Sequence, residues 1–435
     1  MKRIVHSIAA LMLLVGAGLA EDPTDAARRD ACAALHAHAD RGREDAELQR
    51  ALVGLGPDVI PALFQILVQG EIPPIRAERA KRLTATAELA VVAALEALPR
   101  RPLRSLLDEV AAQPREQAAR QQGLRLLARF GTAEDLRRAT KLARHDEGSP
   151  PVLRAAYGAA IEQILLRDPQ GLRDPALDFV HLSPALHRAT AGAIGSLGTR
   201  SAFEHLAGHV DLRGTATPIL LLELRRLAAK LPVPPDPSDL TGIRGALFSS
   251  DPTIVNLAAG VLRELRDAAS MPDLIATLPS PDPNAQRAVR AALATIANVD
   301  LGTDADRWYA WYSAQLGWLE NTGDALARAI ADGPVQDALA AITTASSRYA
   351  LSGAAVELLL PGLLRSEPIL VERTSTALGN LRSWRAVPDL LDTLELAPGA
   401  GSDAACTALK RITSLDLPAD AAVWRARLRD LEELQ

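Results

Sequence analysis

Apolar residues recur at three- and four-residue intervals along most of the chain, the spacing of amphipathic helices. No run alternates apolar and polar positions over the length of a strand. The pattern is clearest from residue 250. Pro252, after Ser-Asp, marks a first helical turn: an acid or hydroxyl caps the free amides there, and proline lacks the amide that would need a partner. Val255, Val261, Leu262 and Leu265 then trace one face of that helix. After a short turn Pro272 opens a second helix carrying Leu274, Ile275 and Leu278. The same order returns 116 residues later, with Pro368 after Ser-Glu, then Pro388, Leu390, Leu391 and Leu394. Residues 250–308 align with 366–424 without a gap, and 20 of the 59 positions are identical. That is an internal duplication. Units of this kind each leave an apolar face that only a neighbour can cover, which predicts an all-α solenoid of stacked antiparallel hairpins, roughly ten at ~40 residues each.

Weaker echoes of the hairpin lie at 51–70, 117–142 and 184–210. In the best copy Arg373, Ala377, Leu378, Gly379 and Leu381 are followed by Ala386, Val387, Leu390 and Leu394. This resembles the armadillo-like HEAT repeat, especially the short bacterial kind also found in phycobilin lyases: an R..A..ALG.L helix, a tight turn, then an A...L...L helix. The resemblance covers about two thirds of the chain after residue 20. It implies a HEAT-like right-handed α-solenoid, with first helices on the convex side and second helices on the concave side. Residues 21–50 and 309–365 fit the pattern poorly and are expected to be helical but irregular. Leu231–Asp239, with four prolines, cannot continue a helix. It divides an N-terminal set of repeats, 21–232, from a C-terminal set, 239–435, either as a domain boundary or as a loop between repeats.

Residues 1–20 read as a bacterial signal peptide. Lys2 and Arg3 precede the apolar run Ile8 to Val15, and Gly18 and Ala20 are small residues suited to cleavage after Ala20. The expected location is periplasmic or secreted, with no membrane insertion after cleavage. Without Lys2 and Arg3 the chain has 46 basic against 53 acidic residues. A mildly acidic surface with scattered arginines lacks the footprint of a nucleic-acid binder. Cys32 and Cys406 both sit in Ala-rich helical stretches and are expected as buried thiols.

The duplication carries a shared tail: Asp300, Leu301, Asp304 and Trp308 recur as Asp416, Leu417, Asp420 and Trp424. Asp304 and Asp420 are placed to cap the helix whose tryptophan follows four residues later and folds back on the hairpin. The tail resembles a Trp-containing extension found after HEAT-like repeats in some bacterial secreted proteins. The first copy adds Tyr309, Trp311, Tyr312 and Trp318, in a chain with 14 aromatics in all. Trp308, Trp311 and Tyr312 share a helical face and Tyr309 does not. The second copy has Arg427 and Leu428 in place of Trp311 and Tyr312, so the repeat itself does not demand aromatics there. Tyr309, Trp311 and Tyr312 are therefore binding candidates, with packing against 320–365 as the structural alternative.

His205 and His209, four apart, offer half a zinc site at most, with His187 and Asp211 nearby in sequence. His36 and His38 are two apart and point to different faces. One HEAT-like family, deoxyhypusine hydroxylase, holds iron with paired His-Glu dipeptides, and this chain contains none. It also lacks G-x-S-x-G, P-loop and H-E-x-x-H motifs. The reading is a non-enzymatic scaffold, without catalytic residues, metal or cofactor. It binds a protein or peptide on the concave surface through second-helix residues near 202–210, 271–278 and 387–395. The alternative is a small-molecule or cofactor binder, possibly enzymatic, at the aromatic cluster 308–318.

Overall fold

A computed structural model describes residues 23–41, 45–74, 79–113, 116–144, 150–231, 234–397 and 399–433. The expected signal peptide, residues 1–20, lies outside them. The described residues hold 22 α-helices and one strand pair, Glu71–Ile72 with Lys81–Arg82. The fold is all-α, with antiparallel helical hairpins stacked side by side within each unit. The strand pair was not expected. At two residues per strand it is too short to leave an alternating pattern.

Two compact units divide between Ala160 and Ile161. The first contains α1 (Pro23–Arg41), α2 (Asp45–Gly54), α3 (Ile60–Gln69), α4 (Ala85–Ala97), α5 (Arg100–Ala111), α6 (Gln117–Phe130) and α7 (Leu136–Ala143). The division falls inside α8 (Pro151–Arg167). Within the first unit α2 packs on α4, and α7 on both α5 and α6. The turn before α7 is tied by charge. Asp135, buried, accepts from Thr132 N (3.1 Å), from Arg138 (2.6 Å) and from both ends of the Arg104 guanidinium (2.9 and 3.0 Å). Burial raises the Cys32 thiol above its ordinary value.

The second unit contains α9 (Pro184–Ser196), α10 (Arg200–Gly208), α11 (Thr217–Ala228), α12 (Thr241–Ala246), α13 (Pro252–Leu265), α14 (Met271–Thr277), α15 (Pro283–Ala297), α16 (Ala305–Asp332), α17 (Val335–Ser346), α18 (Ser352–Leu359), α19 (Pro368–Leu381), α20 (Val387–Leu396), α21 (Ala400–Thr413) and α22 (Ala421–Glu433). First helices stack in rows: α9, α11, α13 and α15 successively, then α17, α19 and α21. Because α11 packs on α13, the described residues on both sides of the proline-rich stretch belong to the second unit.

The duplication is a unit of four helices, α13–α16 repeated as α19–α22, and its backbone repeats as closely as its sequence. Among the described residues, Arg266, Asn298, Arg382 and Ser414 are the non-glycine residues with positive φ, at 52, 55, 53 and 60°. They are two pairs, each 116 residues apart. Each ends a helix in the left-handed conformation usually taken by glycine. The starts differ between copies. Asp251 caps α13 through Thr253 N (2.8 Å), whereas Glu367, before α19, is held by Arg365 (2.7 Å) and does not cap with its side chain.

The family-like residues have physical roles. Ala377, Leu378, Leu381, Ala386, Val387, Leu390 and Leu394 are all buried, and Arg373 is exposed. Gly379 permits the contact of α19 with α21, because a Cβ there would lie 2.8 Å from the Ala408 Cα. Among the described residues no single helix is long and apolar enough to cross a membrane.

Candidate functional site

The tails of the two copies are structural twins. Trp308 and Trp424 are both fully buried. Each donates its indole N–H to a backbone carbonyl six residues earlier, Trp308 to Gly302 (2.9 Å) and Trp424 to Pro418 (2.8 Å). Asp304 caps α16 through Arg307 N (3.1 Å), and Asp420 caps α22 through Ala422 N (2.8 Å) and Val423 N (3.2 Å).

The aromatic cluster sits on α16, which runs unbroken for 28 residues. Trp311 packs edge-to-face on Trp308 with ring centres 5.9 Å apart. Tyr312 is half-buried, and desolvation raises its hydroxyl above the ordinary value. Tyr309 points elsewhere and is 68% exposed. Trp318 lies under the Arg348 guanidinium (4.0 Å), which also donates to Gln315 (2.6 Å). The C-terminus of α16 is held by Arg365, which donates to the carbonyls of Ala331 and Gly333, each at 3.0 Å. The same Arg365 holds the Glu367 carboxyl down at about 2.

The histidines pack around Phe179. Its ring lies 5.7 Å from His187 and 5.5 Å from His209, and His209 lies 4.6 Å from His205. The His209 Nδ1 pairs with the His205 carbonyl (2.7 Å), and its Nε2 faces Asp178 at 3.5 Å. The His187 Nε2 pairs with the Leu182 carbonyl (3.3 Å). Asp211 instead accepts from Arg213 N (3.1 Å). Burial, reinforced by repulsion from His209, pushes His205 down to about 4, and its Nε2 has no hydrogen-bond partner. The geometry is that of ring packing. Phe179 and Asp178, which organise it, carry no signal in the 205–209 spacing.

The surface features of the second unit that concern binding are a groove and a cleft. The groove, about 380 Å³, runs between the turn before α19 and the exposed side of α20. Leu363, Val371, Ala397 and Gly401 line it, together with Asp389, Asp392 and Thr393. Two of its lining residues are leucines left in solvent, Leu364 at 89% and Leu396 at 80% exposure. Phe248, which lies just before the first copy as Leu364 lies just before the second, is 57% exposed. Sequence periodicity does not find these residues, because it does not separate an apolar side chain in solvent from one in the core. The groove includes part of the expected second-helix region 387–395.

No family model and no curated protein matches the chain. Solved structures that align with it include a Kap121p triple mutant (12% identity, TM-score 0.30), Kap121p bound to Pho4p (11%, 0.30) and importin beta (11%, 0.31). The alignments cover 97, 97 and 95% of this chain. The chain spans 44% of either Kap121p chain and 58% of the importin beta chain.

Proposed function

We propose that the protein is a non-enzymatic interaction scaffold of the periplasm or cell exterior, holding a protein or peptide partner in the groove between Leu364 and Leu396. One observation carries the reading: two almost fully exposed leucines line one groove. Covering each leucine would contribute roughly 1.5–3 kcal/mol, which folding leaves uncollected. Apolar side chains grouped this way on a surface mark interaction sites. The extracytoplasmic location is supported by the basic, apolar and small-residue order of residues 1–20.

The experiment compares the native chain with the Leu364→Asp/Leu396→Asp variant as bait against envelope and culture-supernatant fractions of the host. The expected result is a protein retained by the native chain and lost by the variant, at an unchanged melting temperature. Equal retention by both baits rejects the groove. The mature chain recovered from those fractions should begin at Glu21, and an unprocessed, cytoplasmic chain would overturn the location.

A further inference from the structure

A second opening, distinct from the apolar groove and independent of it, lies on the edge of the second unit where hairpins turn. It is a cleft of about 600 Å³. Its walls are the proline loop 234–237, the C-terminal turns of α13 and α19, the ends of α15 and α21, and the first turn of α18.

Three arginines lining this cleft pair with no carboxylate among the described residues. Arg266 donates to the Thr295 carbonyl at 3.4 Å, Arg411 donates to the neutral side chain of Asn380 at 2.6 Å, and Arg382, exposed, makes no ion pair among the described residues. The carboxylates lining the cleft are already committed. Glu264 is bound by Arg263 (2.6 Å), and Asp267 is held by both ends of Arg244 (2.8 and 2.9 Å). Elsewhere in a chain of net charge −5, arginines such as Arg104, Arg138, Arg290 and Arg425 sit against acids.

Position sharpens the point. Arg266 and Arg382 occupy equivalent left-handed helix ends, where glycine is the relaxed choice and a side chain is strained. A cation near a helix C-terminus gains from the helix dipole, but an arginine one turn earlier would gain it without the strain. At the α13 end Arg266 N and Asp267 N already bond back to the carbonyls of Arg263 and Leu262. Ser352 and Gly353 add the positive end of α18 to the same cleft. Half-buried Trp384 offers an aromatic surface beside the cations.

From this we infer that the cleft binds an acidic, extended segment of a protein partner, its carboxylates paired with Arg266, Arg382 and Arg411. Paired guanidinium–carboxylate bonds are short, directional and charge-assisted, which suits a peptide carrying Asp or Glu. The acidic net charge of the chain opposes a long polyanion such as nucleic acid, whereas a short segment meets only the local field.

The test uses the full chain and a fluorescent hexaglutamate peptide, read by anisotropy, with hexalysine as the control. Hexaglutamate should bind, weaken as salt rises, and bind at least about tenfold more weakly to Arg266→Gly/Arg382→Gly. Glycine relieves the left-handed strain, so this variant keeps its fold, which circular dichroism checks. The Leu364→Asp/Leu396→Asp variant should bind hexaglutamate normally, which separates this surface from the apolar groove. Binding that survives the glycine variant overturns the proposal, as does hexalysine binding equally well. Complete displacement by inorganic phosphate at equal concentration would replace the peptide site with a simple anion site. Tighter binding to duplex DNA than to hexaglutamate would also refute it.

Discussion

Replacing Trp308 or Trp424 by alanine tests whether the repeated tail is what closes each copy. An indole buries roughly 200 Å², worth about 5 kcal/mol at ~25 cal/mol per Å², as an upper bound. Both rings are fully buried, and both N–H groups are bonded to carbonyls that would lose their donor. Large-to-small core substitutions of this kind cost about 3–5 kcal/mol, and that is the expectation for Trp424→Ala. Trp308 has one more interaction, the edge-to-face contact with Trp311, worth about 1 kcal/mol. Trp308→Ala should therefore be the more damaging by about that amount. The assay is urea unfolding followed by circular dichroism, with hydrogen exchange in α14 and α20, the helices on which α16 and α22 pack, locating the loss. Exchange is needed because two compact units need not unfold together. Trp→Phe at either site keeps most of the volume but orphans the carbonyl, and should cost about 1–3 kcal/mol. A loss below about 1 kcal/mol for either alanine variant, or Trp424→Ala exceeding Trp308→Ala, would refute the reasoning.

Two glycines should respond with opposite signs. Gly379→Ala forces a Cβ against the Ala408 backbone and should cost about 1–3 kcal/mol, whereas Gly192→Ala in α9, with nothing within 4 Å, should stabilise by about 0.5–1 kcal/mol; melting temperatures decide both. His205, held at about 4 against an ordinary 6.5, favours the folded state fully above 6.5 and loses that contribution as pH falls towards 4. The native chain should lose about 3 kcal/mol over that window relative to His205→Leu, measured by urea midpoints; a constant difference across the window would be the wrong outcome. Arg365→Met should free the α16 carbonyls and let the Glu367 carboxyl rise from about 2 towards 4.5. Since a depressed acid stabilises above its unfolded value, the native chain loses this contribution as pH falls from 4.5 to 2, and the variant does not. Carboxyl titration by NMR checks the shift.

The helices and their order were legible because the signals are local. Proline after an acid, apolar spacing of three and four, and a 116-residue period all act within one hairpin or between copies. The capping roles of Asp304 and Asp420 and the fold-back of both tryptophans followed from the same local rules. What escaped depends on neighbours distant in sequence. Leu394 and Leu396 lie two residues apart in DLLDTLEL, yet one is buried and the other is 80% exposed. Only the turn before α19, which lines the groove with α20, turns that exposure into a candidate site. The histidine pair was visible, but the Phe179 ring that makes it a packing cluster comes from a turn some 26 residues away. The division inside α8 has no composition shift to announce it.

The two copies also allow stability and binding to be separated without any second protein. Where they differ, the scaffold is simply tolerant: half-buried Tyr312 corresponds to buried Leu428, and Trp311, resting on Trp308, corresponds to exposed Arg427. Where they agree and the residue is buried or capping, as at Trp308 and Trp424 or Asp304 and Asp420, packing explains the agreement. Arg266 and Arg382 fit neither case. They are identical, solvent-facing and set in a backbone conformation that penalises any side chain, and their guanidinium groups meet no acid. Stability alone would favour glycine at both ends, so what the duplication has kept there is the charge.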